Sequence, residues 1–334
     1  MKILKYAGIM FFILVMSSGV LFAGGGRARD DRPITLTLGS AYSLNSPPFQ
    51  AGIRFAEAVR ERTNGRVIIN TFSDGVLGSE RDQFIAVAAD ELDFTIGGML
   101  LIDMFAPEFG FMSAPYLYRD MDHVRRVMQS PIGRRMKDRF LENNVNFIGV
   151  NYRGTRHTSS NRAIHGPADV RGLRIRMTEM PSWVAIWGAE GLGGTTIPIV
   201  LGELYTALQT GVVEASEGPW EQLATFNFYE VQRYLVNTGH VQEWCGIFAS
   251  ERMLQRLPIE YRRIVEELAE YYMGVWGTQY AAYMAGVFRQ RLIDGGMTEI
   301  NVDVTEFTRA VMPVYERFFR EVWTASTLEE ILSF

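Results

Sequence analysis

PITLTLGSAYSLNSPPFQAGIRFAEAVRERTNGRVIINTFSDGVLGSERDQFIAVAADELDFTIG, residues 33–97, is the stretch that decides the fold class. Residues 33–39 alternate apolar and polar side chains, the period of a half-buried strand. Ser46 then stands before Pro47, and Phe49, Ile53, Ala56 and Val59 recur at helical spacing until Asn64-Gly65 stops them. Residues 66–72 and 93–97 read as a second and third strand, with a helix opened by Ser79 between them. Strands alternating with helices of this length signal βαβ units and a mostly parallel sheet, so the class is α/β. Ligands of such sheets sit beyond the carboxyl ends of the strands. Tyr42, Phe72 and Met99, beside Ser73-Asp74 and Gly97-Gly98, are therefore candidate rim residues.

Working outward, residues 99–115 are apolar for a connection, which fits either a buried crossing or a pocket wall. Helices are expected over 120–129 and 131–143, and a strand over 145–150. Arg156 and Arg176 follow on short β-like runs either side of His165-Gly166-Pro167. The alternation over 173–177 packs one face and points guanidinium groups from the other. If both runs open onto one cleft, their forks suit a carboxylate; solvated strand arginines are the plainer alternative. Pro181 starts a short helix carrying Trp183 and Trp187 on one face. Beyond it come a helix over 202–209, a strand over 212–215, a sharp turn at 217–220, and separate strands over 233–236 and 241–250. A helix without internal proline is expected over 258–294, and roughly 36 residues at 1.5 Å rise exceed 50 Å, enough to span two lobes. Gly274, Gly277 and Gly286 make a kink in it plausible. A strand over 297–302 and a helix over 307–322 complete the chain.

A chain of 334 residues, 47% of them hydrophobic and 21% charged, has the composition of a globular protein and the length of about two domains. Acidic residues (38) outnumber basic ones (33), and losing Lys2 and Lys5 with a leader takes the balance to −7. With no basic stripe, nucleic acid is excluded as a partner. Lys2 and Lys5, the apolar run 6–22 and Leu21-Phe22-Ala23 read as an export signal cleaved near Ala23 (residues 1–23), with an uncleaved anchor as the alternative. Cys245 is the sole cysteine, so no internal disulfide forms, and its apolar setting marks it as a buried small hydrophobe. HExxH, CxxC, GxSxG and phosphate-loop motifs are absent, and His123, His157, His165 and His240 lack metal-ligand spacing. The expectation is a protein that is not an enzyme and holds no cofactor or metal.

Leu77-Gly78-Ser79-Glu80-Arg81, Phe105-Ala106-Pro107-Glu108-Phe109, Ala114-Pro115-Tyr116-Leu117-Tyr118, Gly172-Leu173-Arg174-Ile175-Arg176 and GELYTALQTGVVE (202–214) together resemble the DctP-type solute receptors of tripartite ATP-independent periplasmic (TRAP) transporters. The resemblance spans the mature chain. It implies a two-lobed periplasmic binding protein type II-like fold with a long lobe-bridging helix. The lobes implied are 30–153 plus 244–283, and 154–243 plus 284–334, closing on a ligand between them. It also implies a monomer that delivers solute to the small and large membrane permease subunits, in some systems with a tetratricopeptide-repeat lipoprotein. By the same resemblance Arg176 matches the arginine that clamps a ligand carboxylate and Arg156 a second arginine. Glu217 and His240 match a supporting polar pair, and Glu80 joins the ligand set. The chain departs from the family where Ser216-Glu217-Gly218-Pro219 replaces Gln-Glu-Asn-Pro, where Leu201 fills an often aromatic position, and where Thr178-Glu179 follow the clamp. Trp220, after the altered turn, is a further pocket candidate. Two ligands fit these residues: an organic acid with a bulky apolar body, or an apolar molecule with Arg176 paired internally. A periplasmic sensor feeding a membrane signalling protein is a third reading.

Overall fold

In the computed structural model, which describes residues 32–334, the opening stretch forms Ile34–Ser40 (β1), Val67–Phe72 (β2) and Phe94–Gly97 (β3). β1 pairs in parallel with both β2 and β3. The helices Pro47–Arg62 and Glu80–Ala89 connect them; the second is closed by a capping box in which Ser79 and Asp82 satisfy each other's backbone. Phe49, Phe55 and Val59 of the first helix bury against Leu38, Phe94 and Ile96 of the strands. The expected leader over 1–23 lies outside the described residues.

The remaining strands are Val145–Ser160 (β4), Arg174–Met177 (β5), Thr195–Pro198 (β6), Ala215–Pro219 (β7), Tyr234–Ser250 (β8) and Thr298–Asn301 (β9). Their order is β2-β1-β3-β8-β4-β7-β5-β6, with β9 on the side of β8. The expectation of a mostly parallel sheet needs correction. β5 pairs in parallel with β6 and β7, but β8 runs antiparallel to β3 and β4, and β4 antiparallel to β7. Two parallel halves are thus joined by two long antiparallel strands. Separate strands over 233–236 and 241–250 were expected; Tyr234–Ser250 is continuous, because Gly239, at φ +54°, carries the strand through the break that turn residues suggested. Residues 99–115 form the helix Leu100–Phe105 and the 3₁₀ segment Pro107–Ser113, mostly buried.

The long helical run forms as Ile259–Ala269 and Thr278–Asp294, joined by a π-helical segment at Glu270–Gly277. It touches the helix Pro47–Arg62 and β4 in its first part, and the helix Trp220–Thr225 in its last. Gly277 shows why the ladder widens there, since a Cβ would lie 2.6 Å from Asn151 Nδ2 and 2.8 Å from the Tyr272 carbonyl. On the strand side, a Cβ at Gly149 would sit 2.5 Å from the Ala269 carbonyl oxygen and 3.2 Å from Met273 Cβ. Gly149→Ala is expected to push the helix off β4 and destabilise the fold by about 1–3 kcal/mol, the usual cost of overpacking, read as a lower denaturant midpoint at unchanged m-value. Among the described residues, no helix is long and apolar enough to cross a membrane.

Candidate functional site

Arg176 sits on β5, where both faces are covered so that it is buried together with Ile175 and Met177, and the residue is 5% exposed. Its Nε donates to the Ile199 carbonyl at 2.8 Å. Among the described residues that is its one hydrogen bond, and the nearest carboxylate oxygen, Glu217 Oε1, stands 3.9 Å from Nη1, too far to accept. Burial pulls the guanidinium down to about 10, with Glu217 opposing and Arg156 reinforcing the shift. Arg176 lines a cavity of about 230 Å³ and, with several of the same residues, an inner pocket of about 40 Å³. The cavity walls come from both halves of the sheet: Tyr42, Glu80 and Leu100 from the first, Arg176, Ile199 and Leu201 from the second.

The other arginines are fully engaged. Arg156 makes a two-pronged pair with Glu217, Nε to Oε2 at 2.5 Å and Nη2 to Oε1 at 2.8 Å, and reaches Glu243 Oε1 at 2.7 Å. Arg153 bonds Glu221 at 2.5 Å and Glu243 at 3.0 Å, with Tyr42 beneath it at 4.1 Å. His240 Nε2 lies 3.2 Å from Glu217 Oε2, its Nδ1 on Thr238, and burial lowers its pKa so that it is held neutral. Burial pushes the Glu217 carboxyl up, yet Arg156 and His240 outweigh it and hold it at about 2. Three buried arginines therefore meet three buried glutamates, Glu217, Glu221 and Glu243, with the pairing concentrated on two of the arginines.

Glu80 opens its helix with its carboxylate turned into the cavity, where it accepts from the Gly98 N–H; burial raises its pKa. The approach needs glycine, because a Cβ at Gly98 would fall 2.8 Å from the Tyr42 hydroxyl. At the mouth, Arg81 Nε bonds Glu179 Oε2 at 2.8 Å. Glu179 stands in the bend after β5 and does not pair with Arg176.

Of the residues singled out from sequence, Arg176, Tyr42, Glu80 and Leu201 line the cavity, and Met99 and Arg156 line its inner pocket. Glu217 lies behind, bonded to Arg156, and His240 lies against Glu217. Three others lie elsewhere. Trp220 stacks on His157 at 4.6 Å and lines a separate space of about 350 Å³ beside the long helix, because the turn at Pro219 carries it to the other side of β4. Phe72, at the end of β2, is partly exposed and lines neither pocket. Gly218 is backbone in β7, and the room it leaves is taken by Gln222, whose amide a Cβ there would meet at 2.6 Å. Arg153, Gln222 and Glu243 were missed. Period-two alternation puts residues 153 and 156 on opposite faces, but a register shift at Tyr152/Gly154, with Gly154 at φ +123°, brings both arginines to Glu243. Among the described residues, no group of His, Cys, Asp and Glu is placed to hold a metal ion.

Residues 38–322 match the family model of bacterial extracellular solute-binding proteins, family 7, called DctP. The chain belongs to the DctP family. A solute-binding protein of Roseobacter denitrificans is 30% identical over 305 residues, covering 86% of this chain and 91% of the relative. The sialic acid-binding periplasmic protein of Vibrio cholerae is 26% identical over 285 residues, covering 85% and 88%. Among solved structures, a TRAP periplasmic solute-binding protein from Roseobacter denitrificans with bound L-galactonate superposes at TM-score 0.83 with 27% identity, covering 90% of this chain and 99% of that one. This DctP protein is accordingly a two-lobed α/β transport receptor of the TRAP class, not an enzyme, and the family is periplasmic.

Proposed function

We propose that this DctP protein captures a small organic acid by its carboxylate at Arg176 and delivers it to the membrane subunits of a TRAP transporter. One observation carries the reading: a buried arginine that lines the cavity and whose guanidinium makes, among the described residues, a single hydrogen bond. A buried cation left this way is costly, and a carboxylate supplying two parallel charge-assisted bonds removes the cost. Sialic acid and L-galactonate, named for two relatives, are both carboxylic acids. Leu100, Ile199, Val200 and Leu201 add apolar wall, which suits a ligand with a C–H-rich body. The internally paired alternative is disfavoured because both oxygens of Glu217 already accept from Arg156.

Binding works by closure. Lobes at 30–153 plus 244–283 and 154–243 plus 284–334 meet across the cavity, so a ligand touching Glu80 and Arg176 together favours the closed form. Export with cleavage near Ala23 places the receptor in the periplasm. Native mass spectrometry of protein purified without refolding tests the function. The expected result is a carboxylic acid retained at one per chain; a neutral lipid-like species in its place would overturn the reading.

A further inference from the structure

The charges around the cavity say more about the ligand than that it bears a carboxylate. Five charged residues line the larger space: Arg81 and Arg176, against Asp74, Glu80 and Glu179. Arg81 is taken, its Nε on Glu179 at 2.8 Å across the mouth. Deeper in, Arg153 and Arg156 are held by Glu217, Glu221 and Glu243. Among the described lining residues Arg176 is thus the one cation with no carboxylate within hydrogen-bonding distance.

We propose that this receptor selects ligands with a single carboxylate and rejects dicarboxylates, because Glu179 neutralises Arg81, the second cation at the mouth. This rests on the reading that Arg176 takes the ligand carboxylate. A ligand anchored on Arg176 and extending toward the mouth places its far end among Asp74, Glu80 and Glu179. A second carboxylate there meets three like charges and one cation, Arg81, whose charge Glu179 already balances. Hydroxyl groups at the same place meet no repulsion and can donate to those carboxylates. Glu179 is the switch. It follows the clamp by three residues, stands in a bend rather than a strand, and reaches an arginine in the first turn of the helix Glu80–Ala89. Both partners are well exposed, at 39% and 45%, so the pair adds little to stability and Glu179→Gln leaves the fold intact. The substitution frees the Arg81 fork for a second anionic group.

The test is calorimetric titration of wild type and Glu179→Gln with chain-matched acids: L-galactonate against galactarate, gluconate against glucarate, and 4-hydroxybutanoate against succinate. In wild type each diacid is expected to bind its monoacid's site at least roughly tenfold more weakly. In Glu179→Gln that gap narrows or reverses, with the gain confined to the diacids. A wild-type receptor that takes a diacid as tightly as its monoacid partner overturns the inference while leaving the carboxylate reading intact, and so does a gap that Glu179→Gln does not change. If none of the six acids binds wild type, the carboxylate reading itself fails and the selectivity falls with it.

Discussion

Replacing Arg176 with alanine is expected to weaken binding of the retained acid by about 2–5 kcal/mol, the range for removing one partner of a buried, hydrogen-bonded ion pair. The same change is expected to leave the melting temperature of the ligand-free protein unchanged or higher. That combination follows from the geometry. Among the described residues the guanidinium has one bond, to the Ile199 carbonyl, and burial pulls its pKa down to about 10, a sign that the protein alone incompletely compensates the charged form. Removing it takes away a desolvated charge from the unliganded protein and the principal anchor from the liganded one. An arginine serving structure behaves in the opposite way, because its loss leaves a buried carboxylate unpaired and lowers stability. Calorimetric affinity and thermal unfolding on the same preparations separate the two. A large fall in melting temperature with unchanged affinity would assign Arg176 to the scaffold.

The parts of this molecule legible in its sequence are those set by local patterning. Alternation in 33–39, helical spacing from Phe49 to Val59 and the Ser79 cap each specify an element through neighbours a few residues away, and each forms. The strand that carries Arg176 was legible from its local pattern, and the expectation that Arg176 clamps a carboxylate came from the family resemblance alone. What resisted was everything decided by register between distant strands. Residues 153 and 156 converge on Glu243 where β4 slips against β8 at Tyr152/Gly154, one of three register shifts, and no periodicity in β4 alone records where its partner slips. Gln222 fills the space beside Gly218 from four residues downstream, across a turn, so reading positions one at a time shows the glycine and not its neighbour. Trp220 misled for the same reason. It follows a turn where the resemblance implies ligand contact, but the indole stacks on His157 and lines a separate space instead. Arg81 and Glu179 lie 98 residues apart, so their pairing is a property of the folded mouth alone.

The mirror image of Arg176→Ala is Glu217→Gln, expected to lower stability by about 3–5 kcal/mol near neutral pH, the cost of breaking a buried pair by neutralising one partner. Glu217 accepts two bonds from Arg156 and lies 3.2 Å from His240 Nε2, with no exposed atom to fall back on. Its pH signature is distinct. Burial opposes ionisation but Arg156 and His240 prevail, so the folded pKa of about 2 lies below the ordinary value of 4.5. A depressed folded pKa gives stability that is fully present above the unfolded value and lost as pH falls through the folded one. The wild type should therefore lose this contribution between pH 4.5 and 2, whereas Glu217→Gln, with nothing to titrate there, should not. Urea midpoints of the two proteins are expected to converge as pH falls across that window, and a difference that stays constant would mean the carboxylate is not ionised in the fold. The ligand response runs the other way from stability. Neutralising Glu217 leaves three arginines facing two glutamates and releases the Arg156 fork, which lines the inner pocket beside Arg176. A ligand carboxylate then meets an extra positive charge. The variant is expected to bind the retained acid at least as tightly as wild type while being much less stable, so the fully paired Arg156 serves the scaffold at the expense of affinity.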